Sequence, residues 1–410
     1  MKPIGPIPHE FSALTGDLFI GGEAAATWIE RAGDTPLFVY DFGIVAARVA
    51  RLRAALPAGI DIHYAIKANP FAPLIEAISA LVDGLDVASA GELALALEAR
   101  PGSAISFAGP GKRDDEIEEA IRAGATINLE SEGEALRALD IGQRTGIAPR
   151  LAVRVNPDFE LRGSGMKMGG RASPFGVDAD RAGALVRHLI AEGAAWRGFH
   201  IFAGSQALDS DAIIETQAAT LNLAERLTGE AGAVPPLVNL GGGFGIPYFA
   251  GDSQIDVERI GAALADAMTS HPMPDSRFAI ELGRWLVGEC GVYLTRVVDR
   301  KESRGETFLV VDGGLHHHLA ASGNFGTVVK RNYPIGVAHR MGAHAEETVS
   351  VVGCLCTPLD RLADKAGLPR AEVGDVMAVF LAGAYGLSAS PSAFLGHPLP
   401  LEILAGRPKS

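Results

Sequence analysis

The stretch that decides the fold is "IDIHYAIKANP", Ile60 to Pro70. It reads as a strand-length apolar run that carries Lys67 at its end and is stopped by Ala68, Asn69 and Pro70. Proline cannot continue a central strand, so the run ends there. Lysine is rarely fully buried without a partner, and in a low dielectric its ammonium can lose its proton. Lys67 therefore reads as a nucleophile or as a lysine that lays its stem on the apolar surface and keeps its head in water.

Seven runs of the same kind follow: LDVAS (85–89), ISFAG (105–109), TINLES (126–131), RLAVRVN (150–156), RGFHIFAG (197–204), LVNLGGG (237–243) and RFAIELG (277–283). Helical stretches alternate with them. In FGIVAARVARLRAAL, residues Ile44, Val45, Val49, Leu52 and Leu56 recur at helical spacing. DDEIEEAIRAG carries acids in its first turn and Gly124 at its end. Eight such units predict a (β/α)8 TIM-type barrel, with an open doubly wound sheet as the rival. After Glu281 the rhythm changes. CGVYLTRVVDR, TFLVVDGG, ETVSVVG and VMAVFLAGAY are strand-like, without helices of comparable length between them. The expected fold class is α/β plus all-β. The barrel is expected over 36–284, and a β-domain of Greek-key or β-barrel type over 285–410. Residues 1–35, which include DLFIGG, are expected to pair back with that β-domain.

The bulk numbers agree with two globular domains. The chain has 410 residues, 48% of them hydrophobic and 21% charged. A formal net charge of −13 without a basic run argues against nucleic acid or an anionic membrane as partner. Three cysteines, Cys290, Cys354 and Cys356, are too few for a disulfide framework. The N-terminal MKPIGPIPHEF has no apolar core of a signal peptide, and no run approaches the ~18 residues of a membrane span. A cytoplasmic location is expected.

In a barrel, chemistry gathers at the C-terminal ends of the strands. Those ends here carry Lys67, Asp86, Ser89, Glu130, Arg154, His200, Phe202, Gly241 to Gly243 and Glu281. The glycines of "NLGGGFGIPY" (239–248) let backbone amides approach an anion, and Arg284 of "ELGRW" follows strand eight. The loops after strands seven and eight are the usual phosphate site of a barrel. A reactive lysine, a phosphate cradle and a carboxylate fit one cofactor, pyridoxal 5'-phosphate. It needs an amine for its aldehyde, an anchor for its phosphate and a partner for its ring nitrogen, here Glu281.

At this point the sequence resembles the fold-type III pyridoxal phosphate-dependent decarboxylases, the family of the diaminopimelate, ornithine and biosynthetic arginine enzymes. The resemblance runs from TPLFVYD (35–41) to PLPLEIL (398–404). YAIKANP resembles the cofactor-lysine motif, and DVASAGEL (86–93) the segment after it, which implies Asp86 and Ser89 near that lysine. RVNP (154–157) resembles the fifth-strand motif. GSQ (204–206) resembles a phosphate-contacting turn with Ser205 as donor, and GGGFG the glycine loop. ELGR matches the Glu-Pro-Gly-Arg motif with Leu282 in place of proline. It implies that Glu281 meets the ring nitrogen and Arg284 the phosphate. GAY (383–385) implies a phosphate contact from Tyr385. GCLCTPLD (353–360) resembles the cysteine motif, which implies that Cys356 reaches the partner subunit's site and delivers a proton to the substrate Cα. The resemblance implies a homodimer with shared sites and removal of the α-carboxylate of an amino acid or aminoacyl group.

Three departures bear on the substrate. The family's ring-stacking histidine is replaced by Phe202, with His200 two residues earlier on the same face. The acidic residue after the motif cysteine is Thr357. The Arg-Pro segment gives way to "DGGLHHHLAASGNFG" (312–326). Free diaminopimelate, ornithine and lysine are therefore poor fits. His200, His318, Thr357 and Asp360 are the candidate substrate contacts. No metal is expected, because adjacent strand residues His316, His317 and His318 would point to opposite faces. The combination resembles a subgroup tied to exosortase-type polysaccharide clusters, whose similarity implies a substrate carried on an acyl carrier protein. A racemase on the same barrel and a non-catalytic homologue that binds a regulatory partner are the alternatives.

Overall fold

The computed structural model describes residues 1–12, 16–163, 165–167, 169–271, 273–323 and 331–406. It divides into two compact units. One holds residues 48–246 and 254–283, the other 1–47, 247–253 and 284–410.

The first unit is the predicted barrel. Its strands are β1 (Ile60–Ala65), β2 (Gly84–Val87), β3 (Ile105–Phe107), β4 (Thr126–Leu129), β5 (Arg150–Asn156), β6 (Ala195–Ile201), β7 (Leu237–Gly242) and β8 (Arg277–Leu282). Every neighbour pairs in parallel, in chain order, and β8 pairs with β1. That last pairing closes the sheet and excludes the open doubly wound alternative. Leu151 through Asn156 are buried without interruption, as a strand covered on both faces requires. The helices between strands end where their sequence says. Asp114–Ala123 stops at Gly124, in the left-handed conformation at φ 72°. Glu132–Thr145 starts on Ser131, whose hydroxyl accepts the Glu134 amide. No helix among the described residues is long and apolar enough to cross a membrane.

The second unit is built on β9 (Gly291–Ser303), a 13-residue strand. Its first half pairs with Val376–Phe380 on one edge and with Leu37–Asp41 on the other. Its second half pairs with Glu306–Val311, which adds Glu347–Val352 in parallel and then Arg361–Leu368. Leu401–Ala405 pairs in parallel with Leu37–Asp41. Residues 36–47 therefore go with this unit, where the sequence had set the boundary at 36. Leu37–Asp41 is apolar enough to open a barrel, but its backbone bonds are made to β9 and to Leu401–Ala405. Near the N-terminus, Lys2 bridges to Ala366 and Ile4 to Asn332.

Candidate active site

Strand β1 ends at Ala65, and Lys67 sits in a tight 3-10 turn, Ile66–Ala68, rather than on the strand itself. Asn69 stabilises the stop: its side-chain oxygen accepts the Phe71 amide, and its carbonyl accepts the Tyr64 hydroxyl. Ile66 and Ala68 are buried while the Lys67 side chain is 46% exposed, so the turn turns only the amine outward. Its Nζ lies 3.8 Å from Glu281 Oε1 and 5.7 Å from the centroid of the Phe202 ring.

Glu281 is buried, and its second oxygen is 2.7 Å from His200 Nε2. Burial alone would raise this carboxyl. The His200 hydrogen bond and the charges of His200, Lys67 and Arg154 outweigh it and hold the carboxyl well below its ordinary range. The Phe202 ring lies nearly parallel to that of His200, at 17° and 6.5 Å between centroids. Asp86 is also buried, and neither carboxylate oxygen has a hydrogen-bond partner. His63 Nδ1 stands 3.6 Å away, an ion-pair distance too long for a hydrogen bond. Burial and the nearby Glu281 charge raise the Asp86 carboxyl, with His63 opposing them.

The remaining barrel candidates have structural work as well. The Ser89 hydroxyl accepts the Glu92 amide and caps the helix Ala90–Ala99. Arg154 donates to Glu130 at 2.7 Å, inside a buried ionic group that also holds Lys112 and Glu134 at 2.6 Å. Glu130 accepts the Gly109 and Gly176 amides besides. Sequence reading named Glu130 and Arg154 and missed Lys112 and Glu134, which look like ordinary surface charges in a loop and a helix. It missed His63 too, although that residue stands in the deciding stretch. In the glycine loop, a Cβ on Gly242 would sit 2.0 Å from the Glu281 carbonyl oxygen, and one on Gly243 2.2 Å from that of Gly204. Only glycine lets the end of β7, the end of β8 and the Gly204–Ser205 turn converge.

In the second unit, Arg284 donates to the Tyr248 hydroxyl at 2.9 Å and lies over the Tyr385 ring at 4.5 Å, while its buried Nε has no hydrogen-bond partner. Tyr385 is held at φ 53°, a left-handed conformation that a side chain adopts at a cost of about 1–3 kcal/mol. Tyr248 packs at 4.9 Å on Tyr333. Neither tyrosine was picked out from the sequence.

The cysteine motif divides its two thiols. Cys356 is exposed, and Cys354 is half-buried beside His397. Burial pushes the Cys354 thiol up to about 11. Thr357 is half-buried. Two expected substrate contacts have partners within their own unit. The Asp360 carboxylate accepts the Leu315 amide at 2.7 Å and the Leu355 amide at 2.9 Å, so it ties two loops together. His318 is fully buried among Phe38, Tyr293 and Tyr333. The histidine triplet is a turn and not a strand, with the His317 and His318 amides both donating to the Gly314 carbonyl. The alternation that argued against a metal therefore does not apply. The segment 324–326 of the histidine loop lies outside the described residues.

The barrel unit fits pyridoxal phosphate. An accessible amine, a buried carboxylate kept ionised by a histidine, and an unpartnered buried aspartate are the groups an aldehyde-bearing, protonated pyridine ring needs. In the other unit, the orphaned Arg284 Nε is by itself a donor suited to an anion.

Residues 43–288 match the family model described as "Pyridoxal-dependent decarboxylase, pyridoxal binding domain". The chain is 37% identical over 393 residues to the L-glutamyl-[BtrI acyl-carrier protein] decarboxylase of Niallia circulans, covering 93% of this chain and 91% of that protein. It is 31% identical over 403 residues to the diaminopimelate decarboxylase of Methanothermobacter thermautotrophicus, covering 95% and 90%. Among solved structures, the diaminopimelate decarboxylase of Helicobacter pylori complexed with L-lysine superposes with a TM-score of 0.81 at 28% identity, covering 92% and 93%. This chain belongs to the pyridoxal-dependent decarboxylases and is a carboxy-lyase that works with pyridoxal phosphate.

Proposed function

We propose that this decarboxylase acts on an aminoacyl group joined as a thioester to an acyl carrier protein. The carrying observation is the cysteine motif, Gly353 to Asp360. Its one acid is Asp360, and both oxygens of Asp360 accept backbone amides. With Thr357 uncharged, the motif offers nothing to grip the distal ammonium of diaminopimelate, lysine or ornithine. A distal end without charge fits, and a thioester is one. Because the α-carboxylate must be free to leave, the carrier link has to run through a side-chain carboxyl, as in a glutamyl group. The name of the Niallia circulans relative supports the same class.

Pyridoxal phosphate, when bound, accepts the electron pair left behind as CO₂ departs. The roles of this chain's residues follow from their surroundings. Lys67 would offer the amine that holds the cofactor's aldehyde. Glu281, kept ionised by His200, holds the ring nitrogen protonated. Phe202 supports the ring by its face and offers no hydrogen bond. Asp86 lies on β2, paired with Ala65 just before the lysine turn, and Ser89 caps the helix that follows. Arg154 adds its charge to the field that keeps Glu281 ionised. Ser205 and Gly241 to Gly243 of the barrel unit would hold the phosphate. Cys356, exposed on one subunit, delivers the proton to Cα in the site of the other subunit of a homodimer. His200 acts through Glu281.

The test is a panel of free amino acids against the same residues loaded on a carrier protein, read by intact-protein mass spectrometry as loss of CO₂. Turnover of the glutamyl-loaded carrier with free glutamate inert is the expected result. Turnover of free diaminopimelate with the loaded carrier inert would sink the proposal.

A further inference from the structure

The second unit holds a cluster that none of these roles uses. His316, Cys354 and His397 come from three separate loops, and one ligand atom from each lies within 4.8 Å of the others. Cys354 Sγ is 3.9 Å from His397 Nε2 and 4.0 Å from its Nδ1. The His316 and His397 ring centroids are 5.2 Å apart. His316 is fully buried, and neither of its ring nitrogens has a hydrogen-bond partner. Burying an imidazole with both nitrogens unmatched costs free energy that no hydrogen bond among the described residues returns.

We propose that His316, Cys354 and His397 form a zinc site with its fourth position open to water. Zn–N and Zn–S bonds of about 2.0–2.1 and 2.3 Å set tetrahedral ligand separations of about 3.3–3.6 Å. The observed separations close to that range with side-chain shifts of about 1 Å. Zn²⁺ takes imidazole and thiolate together and tolerates three protein ligands plus water. On coordination the Cys354 sulfur gives its proton to solvent and binds as thiolate.

The surroundings are built to hold such ligands. Asp360 accepts the amides of Leu315 and Leu355, the residues next to His316 and Cys354, so one carboxylate sets the two loops side by side. Gly314 and Gly353 make room for it, since a Cβ on either would stand 2.3 and 2.2 Å from its oxygens. His317 does the same for the third loop. The Pro398 carbonyl, next to His397, can only accept, so His317 Nε2 donates to it at 3.1 Å. Its Nδ1 then accepts the Tyr293 hydroxyl at 3.0 Å. These contacts position the loops that carry the ligands. A Cys354–His397 hydrogen bond, the bland reading, would leave His316 unexplained. The ion would join three loops of this unit and fix the segment that carries Cys356 two residues downstream.

The test uses the purified holoenzyme, exchanged against a chelator and then titrated with Zn²⁺ alone against a competing chromophore. About one Zn²⁺ per chain is expected in the wild type. Cys354→Ser and His397→Ala should each weaken binding by more than the about 10–100-fold that an outer-shell change costs. Cys356→Ser should bind as the wild type does. Co²⁺ in place of Zn²⁺ should give a thiolate charge-transfer band that Cys354→Ser lacks. Wild-type protein that takes up no more Zn²⁺ than the Cys354→Ser/His397→Ala double variant overturns the site. Loss of binding in Cys356→Ser equal to that in Cys354→Ser overturns the ligand assignment.

Discussion

His200 Nε2 lies 2.7 Å from Glu281 Oε2, and both side chains are buried. The two residues stand on β6 and β8, which are separated by β7, so the contact spans the intervening strand. The pair sets the charge state of the carboxylate proposed to meet the cofactor ring. Without His200, burial dominates and the Glu281 carboxyl rises. His200→Ala should therefore move the acid limb of the kcat/KM profile to higher pH, while Glu281→Gln should lose about 10²-fold or more in kcat at every pH. Coincident pH profiles for His200→Ala and wild type would refute the link.

Lys67 is half exposed on a buried turn, so its removal leaves the packing intact. Lys67→Ala should stay folded by circular dichroism, lose the visible absorbance of lysine-bound cofactor, and lose the borohydride-fixed label that peptide mapping should otherwise find on Lys67. A label on any other lysine removes the assignment.

Cys356 is exposed where Cys354 is not. If Cys356 serves the partner's site, a mixture of Lys67→Ala and Cys356→Ala proteins forms hybrids with one intact site. Random exchange should then restore about a quarter of wild-type activity. Mixing that restores nothing, with hybrid dimers verified, would place both residues in one chain's site.

Lys112 and Glu134 form an ion pair with side chains 1% and 2% exposed. Lys112 also donates to the carbonyls of Gly109 and Asn128. Lys112→Met leaves Glu134 buried without its cation and should cost about 3–5 kcal/mol in urea denaturation. A loss below about 1 kcal/mol would mean the pair is solvated in solution.

Arg300 donates to both oxygens of Glu347 and joins β9 to Glu347–Val352. That hydrogen bond holds the Glu347 carboxyl below its ordinary value, against burial. The unfolded chain therefore takes up this proton first as pH falls. The contribution is fully present above the unfolded carboxyl value and is lost as pH drops through the lowered one. Arg300→Met should be less stable than wild type at pH 7, with the gap closing below about pH 4. A gap that does not change with pH would trace the loss to packing of the arginine stem.

Much of this protein is determined locally. The eight barrel runs were legible because each is strand-length, apolar and bounded by turn residues, and the turn after β1 was legible from Asn69 and Pro70. The amine of Lys67, the carboxylate of Glu281 and the glycines after β7 stand at strand ends, which a period-two pattern marks. What the tertiary structure decided was everything that depends on a partner far along the chain. The strand Leu37–Asp41 looks like the start of a barrel and belongs to the other unit, because pairing is chosen by whichever edge is open to it. Asp360 looks like a substrate contact, yet it spends both oxygens on backbone amides 5 and 45 residues away. His316, Cys354 and His397 form a cluster although up to 81 residues separate them, since alternation along a strand says nothing about a turn. A single sequence records which groups can ionise, donate or ligate; which of them meet is set by chain closure and burial, and those are properties of the whole fold.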